Sequence, residues 1–417
     1  MNKRPKAGRL FGWLKQATPS ARRALLAASL GWMLDSFDVM LYALVLAHLM
    51  NDLGMGKGTA GFLGSLTLIA SAFGGMLFGV IADRFGRTQA LRASILIYSI
   101  FTAACGLSHT VLQLALFRIF LGLGMGGEWA SGAALVSETW PTEHRGKAMG
   151  FMQSFWAVGY AVAALVTLLI MPRWGWRAVF FVGVLPALFA FWVRAKVEEP
   201  DIWKRQKTFV PQEEKSRIGS IIRGRLLGIT AAVIGMNAFT MFAWWGFNLW
   251  IPGYLSLSRS QGGIGLSPQL MSALVIFMQF GMWLGYLTFG FISDTLGRKK
   301  TYIIYLLAAA LLVLVYSGSH KPLLLFFLGP FVAFFGTGYF SGFGALTAEL
   351  YPTRIRATAQ GFTYNIGRFA SAAAPLAVGT LAQKQGFGAA FLLASAAFLL
   401  AALMWLWIPE TGGRELE

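Results

Sequence analysis

The chain is poor in charged residues, in acids and in cysteine. Of its 417 residues, 12% are charged and 56% are hydrophobic, whereas a soluble domain carries about 25% charged residues. A chain of this length needs more polar surface than that to fold in water, so the composition excludes a soluble enzyme and a disordered protein. A membrane protein with several spans remains, and its 49 glycines suit close helix packing in lipid.

Reactive side chains are also scarce. The single cysteine, Cys105, lies within an apolar run, so it supports neither a disulfide framework nor a metal site. All four histidines lie at or near the ends of apolar runs, which argues against a buried histidine-based catalytic centre; they are His48, His109, His144 and His320. No phosphate-binding loop is present to use ATP. We therefore expect no cofactor or metal, and a membrane enzyme is the most remote alternative.

Long apolar runs are abundant. About 20 apolar residues cross a bilayer core as a helix, and a helix satisfies every backbone polar group within the segment. The sequence predicts an all-α integral membrane fold with twelve transmembrane helices. The predicted spans are 24–50, 59–82, 89–108, 110–138, 147–171, 177–195, 226–256, 268–293, 301–318, 322–350, 357–382 and 388–408.

Basic residues are distributed unequally between the two ends of these spans. One side receives 27 of the 35 lysines and arginines, six lie on the other side, and Arg118 and Arg368 lie within spans. Because cytoplasmic loops carry the excess of basic residues, both termini are predicted to be cytoplasmic. The net charge of +18 is then explained by this topology and by contact of the basic residues with lipids. The predicted location is a plasma membrane, the inner membrane of a bacterium. No nucleic-acid partner is expected.

The charge pattern also predicts the domain organisation. Residues 1–23 form a basic cytoplasmic tail, 24–195 and 226–408 form two six-helix bundles, and 409–417 form a second cytoplasmic tail. Residues 196–225 mix basic and acidic side chains, and we predict a cytoplasmic linker that lies on anionic headgroups. A regulatory site in this linker is the alternative.

An internal repeat supports this division, because two motifs recur after 211 residues. The first motif contains Gly79, Asp83, Gly86 and Arg87, which correspond to Gly290, Asp294, Gly297 and Arg298. The second contains Glu138 and Arg145, which correspond to Glu349 and Arg356. His109 with His320 and Gly175 with Gly386 share the offset. We therefore predict two pseudo-symmetric halves with a site between them, as in transporters built from parallel repeats.

The first motif has a physical interpretation. Gly79 and Gly290 would allow close helix approach, and the following aspartate would accept hydrogen bonds from the N-terminal amides of a neighbouring helix. Gly86 permits a tight reversal, and Arg87 can pair with a carboxylate. The repeated motif is interpreted as a gating latch, and a topology anchor at the membrane surface is the alternative.

These motifs resemble those of the major facilitator superfamily. The resemblance rests on the two Gly-x-x-x-Asp-x-x-Gly-Arg loops, on the Arg118-x-x-x-Gly122-x-Gly124 run, and on segments 197–203 and 408–413. Asp35–Ser–Phe–Asp38 is similar to the Asp-Gly-x-Asp signature of aromatic-acid/proton symporters, with Ser36 in place of glycine. Segments 126–132 and 364–368 are more similar to the sialate/lactate proton symporters. The resemblance implies the superfamily's fold and alternating access.

Five ionisable residues are predicted within the middle third of the membrane, where each unpaired charge costs several kcal/mol. They are Asp35, Asp38, Arg118, Glu128 and Arg368. The resemblance to sugar and acid symporters implies that Asp38 meets Arg118. We interpret Asp35, Asp38, Arg118 and Glu128 as the proton-coupling group. A static network of salt bridges that only fixes helix packing is the alternative.

Arg368 is the predicted ligand of a substrate carboxylate, because a guanidinium offers bidentate donors. Tyr364 and Asn365 share its helix face. The five charges sum to −1, so entry of an anion would require a proton, which is symport by linkage. Further predicted substrate-binding residues, for which simple packing is the alternative, are Tyr42, Gln153, Trp156, Asn237, Trp244 and Gln279.

The predicted function is therefore secondary active transport: proton-coupled uptake of an organic anion such as a monocarboxylate, aromatic acid or sugar acid. The proton is the coupling ion, and the chain is expected to act as a monomer. Transport of a neutral sugar or an organic cation, and proton-driven efflux, are the alternatives.

Overall fold

The computed structural model describes residues 12–140, 142–189, 192, 199, 225–352 and 356–412. Its longer helices are α1 (Pro19–Asp52), α2 (Lys57–Phe85), α3 (Arg87–Cys105), α4 (Val111–Thr139), α5 (Thr142–Val182), α6 (Arg225–Ser256), α7 (Pro268–Leu296), α8 (Arg298–Ser317), α9 (Pro322–Thr337), α10 (Phe343–Leu350), α11 (Arg356–Ser371) and α12 (Ala374–Met404). No strand occurs within these residues, so the predicted all-α class is confirmed.

Nine helical stretches of the described residues are long and apolar enough to cross a membrane. Two of them, Gly146–Phe189 and Ala359–Met404, contain 44 and 46 residues, about twice the length of one crossing. Gly175 (φ 74°) and Gly386 (φ 85°) leave helical geometry inside these stretches, so each stretch contains two crossings. With the 19-residue α3, the predicted fold of twelve transmembrane helices in two halves is confirmed.

Two predicted spans are interrupted. The span predicted at 322–350 consists of α9, a 3₁₀ turn at Gly338–Gly342 and α10. A Cβ at Gly338 would lie 2.7 Å from the Tyr305 ring and 2.9 Å from Gly285 O, so the glycine permits tight packing at this turn. The span predicted at 357–382 breaks between α11 and α12, because Pro375 at the start of α12 disfavours helical geometry before it.

Side-chain caps fix the starts of helices, and at α1 the cap extends the helix beyond its predicted apolar limit. The Ala21 amide donates to Thr18 Oγ1 at 3.2 Å, which starts α1 five residues before the apolar run. Ser267 caps α7 in the same way, accepting from the Leu270 amide at 3.3 Å. A hydroxyl at this position satisfies an amide that has no partner within the helix.

Glycines bring helices together within each half, but not at the positions that the sequence indicated. A Cβ at Gly126 would overlap Ser71 O where α4 crosses α2, and one at Gly281 would overlap Pro330 O where α7 crosses α9. A Cβ at Gly79 or Gly290 would meet no described atom within 4 Å. Among the described residues, the predicted close approach is therefore not found at these two glycines.

We call the end of the bundle at which α1 begins the N-terminal face, and the end at which α1 finishes the opposite face. The first half contributes α1–α5 and the second half α6–α12. The predicted linker 196–225 lies outside the described residues except for Glu199 and the helical Arg225. Its boundaries, and those of the two tails, stay predictions.

Candidate functional site

Three carboxylates are buried in the middle of the first half. Asp35 and Asp38 lie on α1 and Glu128 on α4, with exposed fractions of 1%, 1% and 0%. Among the described residues, neither oxygen of Asp38 or Glu128 has a hydrogen-bond partner. A buried polar atom without a partner costs about 1–3 kcal/mol, and more when charged. This cluster is therefore costly unless protons, cations or ligand groups reach it.

Small residues make room for Glu128. A Cβ at Gly31 of α1 would overlap its Oε1, and a Cβ at Gly132 would lie 3.4 Å from the same atom. The carboxylate therefore lies directly against α1, and Glu128 and Asp35 interact electrostatically. The hydroxyl of Tyr98 on α3 is buried beside these groups without a partner in the described structure. Sequence reasoning missed Tyr98, because a tyrosine within an apolar run gives no distinct signal.

Arg118 does not pair with Asp38. Its guanidinium lies over the Tyr42 ring, 3.6 Å from the centroid, and its Nε donates to Leu63 O at 3.4 Å. The predicted ion pair is therefore wrong for this conformation, and depth explains why. Arg118 lies near the start of α4 and Tyr42 one turn beyond Asp38 on α1, so the two helices place the guanidinium level with the ring.

The second half brings Arg368 toward this cluster. Asp35 interacts electrostatically with Arg368, which is buried on α11. Tyr364, one turn earlier, interacts with both groups. Nearby, the Phe73 and Phe369 rings meet edge to face across the halves, with centroids 5.6 Å apart. The structure thus brings the predicted anion ligand and a predicted proton-coupling residue together from opposite halves.

Several predicted substrate-binding residues form contacts within their own half. Asn237 packs against Gly367 and its Nδ2 donates to Thr363 O at 3.4 Å, while Trp244 packs over Gly336. Asn365 and Gln279 each donate to a backbone carbonyl one turn earlier in their own helix. The donor–acceptor distances are 2.9 Å for Asn365 Nδ2 and 3.3 Å for Gln279 Nε2. Gln153 Oε1 is buried without a partner in the described chain.

Trp156 does reach the seam between the halves. Its ring lies 4.7 Å from that of Trp32 and 5.9 Å from that of Trp245, centroid to centroid. Trp32 and Trp245 were not among the predicted site residues. The predicted residues Asn237 and Trp244 of α6 instead pack against Gly367 and Gly336 inside the second half.

Charge clusters at the N-terminal face follow the repeat. Arg87 pairs with Glu138 at 2.8 Å and Arg298 with Glu349 at 3.1 Å. Arg298 also pairs with Asp294 at 2.6 Å. Among the described residues, each of these ion pairs joins helices of the same half. The side chains of Asp83, Arg145 and Arg356 lie outside the described residues.

Glutamates bind the helix N-termini in both described clusters. Glu199 accepts from the amides of Arg87 and Thr88 at 2.7 and 3.0 Å. Glu410 accepts from the amides of Arg298 and Lys299 at 2.8 and 3.1 Å. A carboxylate is favourable there because helix N-terminal amides are unpaired and carry partial positive charge. Glu199 and Glu410 are also 211 residues apart, a signal that the sequence contained.

The reversal before each of these helices needs a glycine. Gly86 has φ 120° and Gly297 has φ 91°, values that glycine adopts readily and other residues rarely do. A Cβ at Gly86 would also overlap the Glu199 carboxylate. The predicted tight turn is confirmed in both copies.

The halves are hydrogen-bonded to one another near the opposite face. Lys57 Nζ donates to Gln261 O at 2.5 Å and to Ala382 O at 3.3 Å. The Gly58 amide donates to Gln383 Oε1 at 2.8 Å. A Cβ at Gly61 would overlap Pro375 O, so α2 and α12 touch backbone to backbone. We call these contacts the opposite-face seam.

Within the described part of the chain, no group of three or more histidine, cysteine, aspartate or glutamate side chains is placed to hold a metal ion. The arrangement can instead bind protons and an anion, because it combines buried carboxylates with a guanidinium from the facing half.

Comparisons with known proteins identify the family and the fold. The chain is 32% identical over 397 residues to a cis,cis-muconate transport protein of Acinetobacter baylyi, covering 91% of this chain and 92% of that one. It is 31% identical over 406 residues to a sialic acid transporter of Escherichia coli, covering 95% and 96%. Its fold matches the crystal structure of a D-xylose–proton symporter with a TM-score of 0.76 at 22% identity, covering 94% and 99%.

The named relatives are transporters, and the chain is accordingly a membrane-spanning transport protein and not an enzyme. The family model of the Major Facilitator Superfamily matches residues 28–288 and 236–416, nearly the full length. The predicted resemblance is therefore confirmed, and the chain belongs to the Major Facilitator Superfamily.

Proposed function

We propose that the chain takes up organic anions together with protons, by alternating access between its two halves. The observation that carries this proposal is the burial of three carboxylates in the first half and of Arg368 in the second, inside one membrane-spanning bundle. A guanidinium binds a carboxylate through two parallel hydrogen bonds, and a substrate carboxylate at Arg368 would displace or compete with the charge of Asp35.

The charge balance of the site links anion entry to protons. Arg118 lies over the Tyr42 ring and not against Asp38, and the three buried carboxylates outnumber the two buried arginines. An entering anion adds negative charge to a site already acidic, and protonation of Asp35, Asp38 or Glu128 removes the excess. If each ligand favours binding of the other, the two are carried together.

The relatives support the substrate class and the location. Muconate and sialic acid, named for two relatives, are both organic acids. Both relatives are bacterial, and 27 of 35 basic residues lie on the side of the N-terminus, which favours an inner membrane with both termini in the cytoplasm. The proposal includes action as a monomer, with the proton as coupling ion and no cofactor.

Transport by the purified full chain in proteoliposomes tests this function. Labelled cis,cis-muconate and sialic acid serve as probes, with D-xylose as a neutral control, under an imposed pH gradient that is acidic outside. We expect accumulation of at least one acid at a rate about tenfold above D-xylose, and its loss when a protonophore collapses the gradient. Accumulation of D-xylose as fast as either acid, or acid uptake insensitive to the protonophore, would contradict the proposal.

A further inference from the structure

Three tryptophans form a continuous cluster across the two halves. Trp32 on α1 and Trp156 on α5 have ring centroids 4.7 Å apart with planes inclined at 48°. Trp156 meets Trp245 on α6 edge to face, at 5.9 Å and 81°. We call these three side chains the tryptophan cluster. Two members belong to the first half and one to the second.

The cluster lies beside the charged site. Trp32 precedes Asp35 by three residues, so the two share a face of α1 about 4.5 Å apart along the helix axis. Ser36 Oγ donates to Trp156 O at 2.8 Å, and a Cβ at Gly159 would overlap Met33 O. These contacts fix α5 against α1, so Trp156 is held next to the carboxylates.

Two features of the cluster suit contact with a ligand. Trp32 is 93% buried (7% exposed), yet its indole Nε1 has no acceptor among the described residues. Buried indole N–H groups ordinarily find a partner. Trp245 is partly exposed, whereas the adjacent Trp244 is packed over Gly336. The cluster therefore presents an aromatic surface, together with one indole donor that has no described acceptor, on the face of α1 that carries Asp35.

We propose that the tryptophan cluster selects planar, unsaturated carboxylates, with Trp245 stacking on the substrate's conjugated body while Arg368 holds its carboxylate. This inference rests on the proposed function and narrows its substrate class. Trp32 Nε1 donates to a second polar group of the substrate. Because Trp245 belongs to the second half, a bound planar acid contacts both halves at once.

Geometry explains the selectivity. A flat conjugated acid can lie against an indole face, whereas a saturated chain or puckered ring of equal charge contacts fewer ring atoms. Aromatic pairs contribute about 0.5–1.5 kcal/mol beyond the area that they bury. That contribution corresponds to a preference of about threefold to tenfold for the planar acid.

The test compares binding of matched acids to the full chain in lipid nanodiscs by titration calorimetry. Cis,cis-muconate and adipate are six-carbon dicarboxylates that differ in two double bonds. Benzoate and cyclohexanecarboxylate differ in ring planarity. We expect the wild type to bind the planar member of each pair about threefold to tenfold more tightly. Trp245→Leu should lower that ratio to below twofold while adipate affinity stays within twofold, and Trp245→Phe should retain the preference.

Trp407→Leu is the matched control, because Trp407 is 58% exposed and lies at the end of the described chain. It should keep the wild-type ratio. Should Trp245→Leu aggregate, Trp245→Met carries the same expectation, because the unbranched methionine side chain adapts more readily to an irregular site. Equal binding of planar and saturated acids by the wild type, or an unchanged ratio in the variants, overturns this inference alone. Binding of none of the four acids also overturns this inference, whereas the proposed function is tested separately by sialic acid uptake in proteoliposomes.

Discussion

Asp38 lies in the membrane interior with both carboxylate oxygens unpartnered in the described structure. In Asp38→Asn the side chain keeps its shape but no longer exchanges a proton. We expect proton-driven accumulation of cis,cis-muconate to fall at least tenfold, while exchange of internal for external muconate persists. Paired uptake and exchange measurements in proteoliposomes separate the two activities.

Asp52→Asn is the control for that variant. Asp52 is exposed at the end of α1, where it pairs with Arg177 at 2.7 Å, and its loss should leave accumulation unchanged. Accumulation by Asp38→Asn at the wild-type rate would refute a role for Asp38 in coupling.

Arg368 is predicted to bind the substrate carboxylate through its planar fork. Arg368→Lys keeps the charge but loses the bidentate geometry. We expect KM for muconate to rise about tenfold with a smaller change in maximal rate, measured by initial-rate uptake. A KM within twofold of the wild type would place the carboxylate elsewhere. Arg173→Lys, outside the site, is the matched control.

Single residues show where sequence reasoning reached its limit. The buried charges were identifiable because an ionisable group within an apolar run is costly. Their partners were not, since the pairing of Arg118 with Tyr42 depends on how deep each side chain lies. Whether Trp244 or Trp245 faces the first half depends on the orientation of α6 about its axis, since adjacent residues differ by about 100°. A helix that is apolar on all sides gives no sequence signal for that orientation.

Among the helices, α2 and the second half are joined by Lys57 at the opposite-face seam. Lys57→Met removes the bonds to Gln261 O and Ala382 O, and we expect the seam to open more often. In a Cys105→Ser background, a cysteine at Ser65 should react with an impermeant maleimide at least threefold faster. Ser65 lies in this contact, accepting from the Leu376 amide at 3.1 Å.

Lys321→Met provides the comparison for Lys57, because Lys321 is exposed on the same face at the start of α9. It should leave the labelling rate unchanged. Equal labelling of the two variants would mean that Lys57 does not hold the seam closed.

The N-terminus of α8 makes stability depend on pH. Partial burial favours a higher pKa for Glu410, but amides of Gly412, Arg298, Lys299 and Thr411 outweigh it and lower the pKa from 4.5. Since the folded pKa is the lower one, the stabilisation is complete above the unfolded value and is lost as pH falls through the folded value. We expect Glu410→Gln to lower Tm at pH 7.

Between pH 6 and pH 3, the Tm of this variant should fall by less than that of the wild type, because the variant lacks this titrating group. Thermal unfolding of the detergent-solubilised protein across that range measures both effects. Parallel Tm curves for the two proteins would show that Glu410 contributes no pH dependence.

The helices also show what periodicity and composition could predict. Twelve apolar runs gave the crossings, because length and hydropathy decide whether a segment spans a bilayer. The interruption at Gly338–Gly342 was not foreseen, since it arises from packing against Gly285 and Tyr305. The role of Glu199 was missed for another reason: only its position relative to Glu410 distinguishes it from other polar residues.

In the whole molecule, the two halves repeat backbone geometry as well as sequence. Gly175 has φ 74° and ψ −179°, and Gly386 has φ 85° and ψ 169°. This region costs other residues about 1–3 kcal/mol, and a Cβ would meet no described atom within 4 Å at either site. We expect Gly175→Ala and Gly386→Ala to lower the unfolding free energy by similar amounts in that range.

Gly388→Ala is the matched control, because Gly388 has equal space and helical geometry. There alanine should stabilise by about 0.5–1 kcal/mol. Chemical denaturation in detergent measures all three variants. A loss at Gly388 equal to that at Gly386 would contradict the backbone explanation.

In each half, a glutamate that follows the last predicted span binds the N-terminal amides of a helix of the same half. Glu199 reaches α3 and Glu410 reaches α8. During synthesis, the first bundle can therefore complete its terminal contact as soon as residue 199 has left the ribosome. Cutting the polypeptide between residues 199 and 225 would leave both glutamates with their own bundles, so separately expressed pieces should reassemble in the membrane.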